Sequence, residues 1–141
     1  MSAEYFLDSN VLIYLFDARE PLKQQRAREL VREALVNRVG WISYQVIQET
    51  LNVLTTKLDP PAATEDAQAL LSAVLEPLCK VFASIELYRK ALEVKARWRF
   101  SFYDALIVAA ALRAGCGILY AEDLQDGQAI EGLVIRNPFH G

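Results

Sequence analysis

Apolar positions along the chain fall into short runs closed by polar residues, alternating with segments where they recur every three or four residues. The first run, Tyr5-Phe6-Leu7, stops at Asp8-Ser9-Asn10. A short apolar run closed this way is the signature of a buried strand in a parallel sheet. Val11, Leu12, Ile13, Leu15 and Phe16 then open an apolar helix, which Ser9 or Asn10 is suited to cap. This reading places Asp8 at the carboxyl end of an early strand.

After a polar break from Asp17 to Pro21, Leu22 to Arg38 reads as an amphipathic helix with Leu22, Ala27, Leu30, Val31, Ala34 and Leu35 on its apolar side. Gly40 is expected to end it as a C-terminal glycine. Trp41-Ile42-Ser43 predicts a short strand, and Ser43 a cap for a helix from about Tyr44 to Leu58 with the stripe Ile47, Leu51, Leu54 and Leu58. Asp59-Pro60-Pro61 breaks that helix. Another runs from Thr64 to about Leu75, ahead of Pro77, and the stretch from Thr64 to Glu76 is a candidate lid or arm. Lys80 to Ala83 predicts a strand, and Ser84-Ile85-Glu86 the start of a helix to about Arg97. Ser101 to Ala114 is so rich in alanine and leucine that its helix is expected to be buried nearly all round. Gly115-Cys116-Gly117 stops it; Ile118 to Ala121 is a strand, Glu122 to Gly127 a polar loop, and Leu133 to Ile135 a last strand. Strands alternating with helices predict an α/β sandwich around a parallel sheet, in one domain spanning 1–141.

Composition narrows the class. With 141 residues, 53% hydrophobic and 23% charged, the chain can bury a sizeable core and is not disordered. No apolar run reaches the roughly 18 residues of a membrane span, and no basic-then-apolar leader opens the sequence. The expectation is a soluble, cytoplasmic protein without a membrane partner. Cys79 and Cys116 lack CxxC spacing and read as two reduced thiols. The single histidine, His140, stands beside the last residue, which argues against histidine catalysis. A net charge of −3 and a pI near 5.2 offer no general attraction to nucleic acid. Any such role needs a local patch or a bound cation.

The candidate chemistry therefore lies in carboxylates. Asp8 follows the first strand, and Asp123, with Glu122 beside it, follows the strand that ends at Ala121. Ligands of open α/β sheets bind off the carboxyl ends of the strands, so these two acids can converge. Asp8 also has a plainer reading, as a turn residue that helps Ser9 start its helix. Asp104 fits a capping box with Ser101, while Ile107, Val108 and Ala111 share its face and direct its carboxylate toward the interior. Glu49 lies beside Ile47 and Leu51 among Gln45, Gln48 and Asn52, where a solvated helix face explains it equally well.

If the four acids meet, their repulsion calls for a cation, and an all-oxygen ligand set selects Mg²⁺ or Mn²⁺. A hard cation that polarises a phosphoryl oxygen and activates water makes a phosphodiester hydrolase. Receivers and haloacid-dehalogenase-like phosphatases also carry an acid after the first strand. The phosphatases want Asp-x-Asp, and Asn10 stands at the second position.

Asp8-Ser9-Asn10, Glu49, Asp104 within Phe102-Tyr103-Asp104-Ala105-Leu106-Ile107, and Glu122-Asp123-Leu124 resemble, in that order, the motif series of the PIN domain. More narrowly, the chain resembles the VapC-type toxin ribonucleases of toxin–antitoxin pairs, and its ending from Gly132 to Phe139 is similar to theirs. The resemblance covers nearly the whole chain. It implies a three-layer sandwich: a central parallel sheet of about five strands, helices on both faces, and an acidic cleft at the carboxyl edge. It implies that Asp8, Glu49, Asp104 and Asp123 are catalytic and hold one or two Mg²⁺ or Mn²⁺ ions. Ser9 would support Asp8 or touch substrate, and Asn10 would brace the loop. The chain departs from the family at the fourth motif, where Ala121 replaces a threonine. That leaves Glu122, Asp123 and Asp126 to share the fourth role, with Asp123 favoured.

The function so implied is an endoribonuclease acting on single-stranded or loop RNA, a homodimer silenced by a cognate antitoxin. The alternative is a catalytically inactive PIN-like module that binds RNA or protein. Arg97 and Arg99, interleaved with Trp98 and Phe100, and Lys57 are candidate RNA contacts. Helix-end solvation and core packing explain each of them singly. Apolar helix surface at Val11 to Phe16 and Ala69 to Leu75 could serve a dimer or an antitoxin groove, or be ordinary core.

Overall fold

The computed structural model of the protein describes residues 3–140. Strand β1, Tyr5–Leu7, is buried along its whole length. Helix α1, Ser9–Ile13, starts directly behind Asp8, whose carboxylate accepts the Ser9 N–H at 2.7 Å. The cap is thus Asp8 and not Ser9 or Asn10, because a carboxylate one residue earlier already satisfies a free N–H of the first turn. The predicted helix to Phe16 is completed by a 3-10 turn, Tyr14–Phe16.

Helix α2, Pro21–Asn37, ends at Arg38, which takes the left-handed conformation at φ 56°. Gly40 is therefore not its terminator. It opens β2, Gly40–Ser43, where a Cβ would lie 2.6 Å from Ala34 Cβ and 2.6 Å from Tyr5 Cε1. Only glycine lets β2 pass this close to α2 and to the Tyr5 ring.

Helix α3, Tyr44–Thr56, buries Gln45, Val46, Thr50 and Leu54 and leaves Ile47 and Leu51 half-buried. The expected stripe faces the core, with Leu54 fully buried and Ile47, Leu51 and Leu58 packed at its margin, and α3 packs against both α1 and α4, Thr64–Leu70. A π-helical turn, Leu71–Leu75, joins α4 to the short α5, Glu76–Leu78. Pro77 thus lies inside a helix rather than beyond one. Strand β3, Cys79–Val81, leads to α6, Ile85–Trp98, and α7, Phe102–Arg113. Both helix starts match the serines that announced them: Ser84 Oγ accepts the Leu87 N–H at 3.1 Å and Ser101 Oγ the Asp104 N–H at 3.2 Å. Every residue from Ala105 to Ala111 is buried, as the alanine-rich composition predicts.

Strands β4, Ile118–Tyr120, β5, Ala129–Ile130, and β6, Leu133–Arg136, complete the sheet. Its order is β3-β2-β1-β4-β6-β5, parallel throughout except that β5 runs antiparallel to β6. The fold is the expected α/β sandwich with six strands in place of about five. The extra strand, β5, has two residues and is too short to leave a hydrophobic pattern. Both edges are short, and β3 exposes Lys80 at its centre. Cys79 and Cys116 are buried free thiols. Among the described residues no helix is long and apolar enough to cross a membrane.

One topological fact positions the site. From β1 the sheet grows one way through β2 to β3 and the other way through β4, so the winding reverses between β1 and β4. A crevice opens outside the carboxyl ends of strands at such a reversal.

Gly40→Ala forces its Cβ against Ala34 and the Tyr5 ring. It is expected to cost about 1–3 kcal/mol of unfolding free energy, the usual range for overpacking. Urea unfolding measures this, and an unchanged midpoint would contradict the packing account.

Candidate functional site

Pairing of β1 with β4 sets two carboxylates at the switch point. Leu7 pairs with Tyr120, and the Asp8 N–H carries the ladder on to the Tyr120 carbonyl at 3.0 Å. Asp8 follows the end of β1, and Asp123 sits three residues beyond the end of β4. The Asp8 carboxyl is half-buried and pushed up to about 7. Burial is the largest cause; the Ser9 N–H opposes it, and Glu49, Asp104 and Asp123 each add to it through their charge.

Glu49 approaches from the second turn of α3, half-buried. Its carboxyl is also raised, first by burial and then by Asp104, against stabilising side-chain hydrogen bonds from Gln45 and Ser9. Ser9 donates its N–H to Asp8 and adds to the stabilisation of the Glu49 carboxylate. Gln45, one helical turn before Glu49, is only 4% exposed. Its Nε2 donates to the Tyr103 carbonyl at 3.0 Å and makes a longer contact with Glu49 Oε2 at 3.5 Å.

Asp104 enters from the first turn of α7, and here the expectation fails. Its side chain is exposed rather than directed to the interior. Burial of α7 begins only at Ala105, and the Ser101 cap holds the first turn out beyond the core. Asp123 is likewise exposed. Asp8 thus lies within charge range of Glu49, Asp104 and Asp123, and Glu49 within that of Asp104, the four coming from four separate segments. Among the described residues no three of them stand close enough to grip an ion as placed.

The other candidates are engaged elsewhere. Glu122 accepts the Tyr14 hydroxyl at 2.6 Å and Lys23 Nζ at 2.6 Å, and Lys23 also donates to Tyr14 at 3.3 Å. The Lys23 ammonium is held well above its ordinary range, chiefly by the bond to Glu122, and the Tyr14 phenol is raised chiefly by burial. Asp126 accepts the Asn137 N–H at 2.8 Å, which holds its carboxyl low, and His140 Nδ1 lies 3.3 Å away. Glu122 and Asp126 are committed to these partners, while Asp123, on the same loop, lies within charge range of Asp8. Asn10 is half-buried and its Oδ1 has no hydrogen-bond partner, so any bracing of the loop is not made through that oxygen.

The interleaved segment divides by type. Trp98 and Phe100 pack against the core, and the Arg97 guanidinium lies 5.3 Å over the Trp98 ring. They are not free stacking surfaces. Arg97, Arg99 and Lys57 are exposed. Three contributors escaped sequence reasoning. Gln45 carried a signal, its place one turn before Glu49. Tyr14 and Lys23 carried none, since Glu122 lies 108 and 99 residues away from them.

Asp8 supplies a pH-dependent prediction. The unfolded chain releases this proton at the ordinary 3.8, and the folded protein holds it to about 7. The folded state binds the extra proton, so this group's contribution to stability is lost as pH rises through that window. Asp8→Asn keeps the capping oxygen and removes the charge. Metal-free Asp8→Asn is expected to be more stable than the parent at pH 8 by on the order of 1–3 kcal/mol, the gap closing toward pH 4. Urea unfolding at the two pH values in chelator checks it; equal stability at pH 8 would refute the crowding.

The sequence matches the family model of the PIN domain over residues 5–125. No curated protein sequence matches it. In fold the chain is similar to a toxin–antitoxin complex from Klebsiella pneumoniae, with a TM-score of 0.68 and 18% identity over 95% of this chain and 97% of that one. It is similar to VapC20 of Mycobacterium tuberculosis, a toxin that cleaves the sarcin–ricin loop, with a TM-score of 0.60 and 25% identity over 84% and 89% of the two chains. It is also similar to VapBC2 of Rickettsia felis bound to a promoter DNA fragment, with a TM-score of 0.60 and 17% identity over 94% and 96%. The fold is that of VapC-type toxins, and with the family model spanning most of its length the chain belongs to the PIN domain family.

Proposed function

We propose that this protein is a metal-dependent endoribonuclease, hydrolysing RNA phosphodiester bonds as the toxin of a type II toxin–antitoxin pair. The reading is supported by one arrangement: Asp8, at the switch point of the sheet, lies within charge range of Glu49, Asp104 and Asp123, each carried by a separate segment. VapC20 is a toxin that cleaves the sarcin–ricin loop, which supports RNA as the substrate. Other similar folds come from toxin–antitoxin complexes, which supports an antitoxin as partner. A homodimer and a cytoplasmic setting belong to the same reading.

The residues fit a hard cation. The donor set is oxygen only, and Asp8 keeps its proton toward neutrality chiefly because it is buried, with the charges of Glu49, Asp104 and Asp123 adding to the effect. Asp8, Glu49, Asp104 and Asp123 would hold Mg²⁺ or Mn²⁺, with Ser9 as support. Such an ion, when bound, polarises a phosphoryl oxygen and lowers the pKa of a water molecule. The chain's own part is placement. The β1–β4 ladder and the Ser9 N–H fix Asp8, Gln45 orients Glu49, and the Ser101 cap holds Asp104. Tyr14 and Lys23 tie down Glu122, and with it the loop that displays Asp123.

A second reading is a PIN-like module that binds RNA or protein without cutting it. It is favoured by the absence, among the described residues, of three carboxylates grouped to grip an ion. The two readings part in one assay. The parent protein in Mn²⁺ is expected to cleave a single-stranded RNA, and Asp8→Asn to lose at least about a hundredfold in rate while staying folded. Cleavage by the variant at the parent rate overturns the site assignment; RNA bound by the parent and never cut supports the module.

Ion binding has its own readout. Saturating Mn²⁺ is expected to raise the melting temperature by about 5–10 °C, the size that follows from binding at about a hundred times the dissociation constant. Asp104→Asn is expected to lose most of that rise. An undiminished shift in the variant removes Asp104 from the ligand set.

A further inference from the structure

Tyr103 stands beside Asp104 and is the one large aromatic of the α6–α7 corner that the fold leaves in the open. Its side chain is 66% exposed, whereas Trp98, Phe100 and Phe102 around it pack against the core. The exposure is not a matter of looseness. The Gln45 amide, itself buried, binds the Tyr103 carbonyl at 3.0 Å, and the same nitrogen reaches Glu49. The Phe102 ring meets the Tyr103 ring edge-on, at a centroid distance of 5.5 Å and an interplanar angle of 77°. An edge-to-face contact steadies a ring and covers at most one of its faces. Behind it, Tyr44 and Tyr88 share a hydroxyl–hydroxyl hydrogen bond of 3.2 Å. Arg99, exposed and four residues earlier, adds positive charge to the same corner.

An exposed aromatic next to Asp104 in the chain, its backbone tied through Gln45 to Glu49, presents an open face beside the place where a phosphate would be cut. Nucleobases stack on such faces whatever their identity, and the flanking cation suits the strand's phosphates. Resting on the reading of the acids as a ribonuclease site, we propose that Tyr103 is a stacking platform for one unpaired base of the RNA strand, next to the scissile phosphate. Gln45 acts as a positioning residue, locking the platform to Glu49 through a single amide. On this account the protein takes single-stranded or looped RNA because a paired base cannot swing onto the ring.

The test is equilibrium binding of a short single-stranded oligoribonucleotide to Asp8→Asn protein, which does not cut. It is repeated with a set of the same oligomer in which one base at a time is replaced by an abasic ribose. Tyr103→Ala in that background is expected to weaken binding about 5- to 100-fold. Tyr103→Phe, which keeps the ring, is expected to stay within about twofold. An unchanged melting temperature shows that the ring was not structural. One abasic position should cost the ring-bearing protein as much as loss of the ring does, and cost Tyr103→Ala nothing. Binding indifferent to the ring, or abasic losses that are the same in both proteins, overturns the platform and leaves Tyr103 to a protein partner. The parent reading is judged separately, by cleavage with Asp8 restored in Mn²⁺. Cleavage without ring dependence sinks the platform alone, ring-dependent binding without cleavage sinks the nuclease alone, and neither binding nor cleavage sinks both.

Discussion

Like charges crowded at the reversal of the sheet are the constraint around which this molecule is arranged. The ladder between β1 and β4 brings Asp8 up against the loop that carries Asp123. Helices α3 and α7 bring Glu49 and Asp104 within charge range of Asp8. Burial first, and the charges of Glu49, Asp104 and Asp123 after it, keep the proton on Asp8. The backbone does not yield because each acid is fixed by something local: a strand pairing, a helix cap, an amide one turn away. Strain of this kind is sustained only where the surroundings over-determine it.

Those surroundings are the core. Phe6 and Leu7 of β1 are fully buried, and α7 is covered on every side from Ala105 to Ala111. The acid that ends β1 and the acid that begins α7 therefore sit at the boundary between the best-packed segments and solvent. A functional side chain on a rigid element is held to tighter tolerance than one on a loop. Asp123 is the exception, since it lies on a loop. There the Tyr14–Lys23–Glu122 group supplies the missing rigidity through hydrogen bonds rather than packing.

Much of this was legible in the sequence because it is written in local signals. Tyr5-Phe6-Leu7 before Asp8, Ser84 and Ser101 as caps, and the alanine-rich run after Asp104 each report on their own neighbourhood. The misreadings share a different cause. Gly40 looked like a helix terminator because glycines often are, whereas its role depends on Tyr5, which is distant in sequence. Asp104 was expected to point inward because its helix is apolar, but a first turn can stand clear of the core that swallows the rest. Glu122 and Asp126 could be told from Asp123 only by partners far along the chain or outside the motif. Tertiary contact decided each case, and no spacing rule encodes it.

The ends of the sheet carry a last implication. One margin is three residues long with a lysine at its middle, and the other is a two-residue strand laid on in the opposite sense. Neither offers a long, flat row of free backbone groups onto which another polypeptide could extend the sheet. Growth by intermolecular strand addition is thereby discouraged. Association with another chain, of whatever kind, is steered toward the outer surfaces of the helices, where side chains rather than backbone choose the companion.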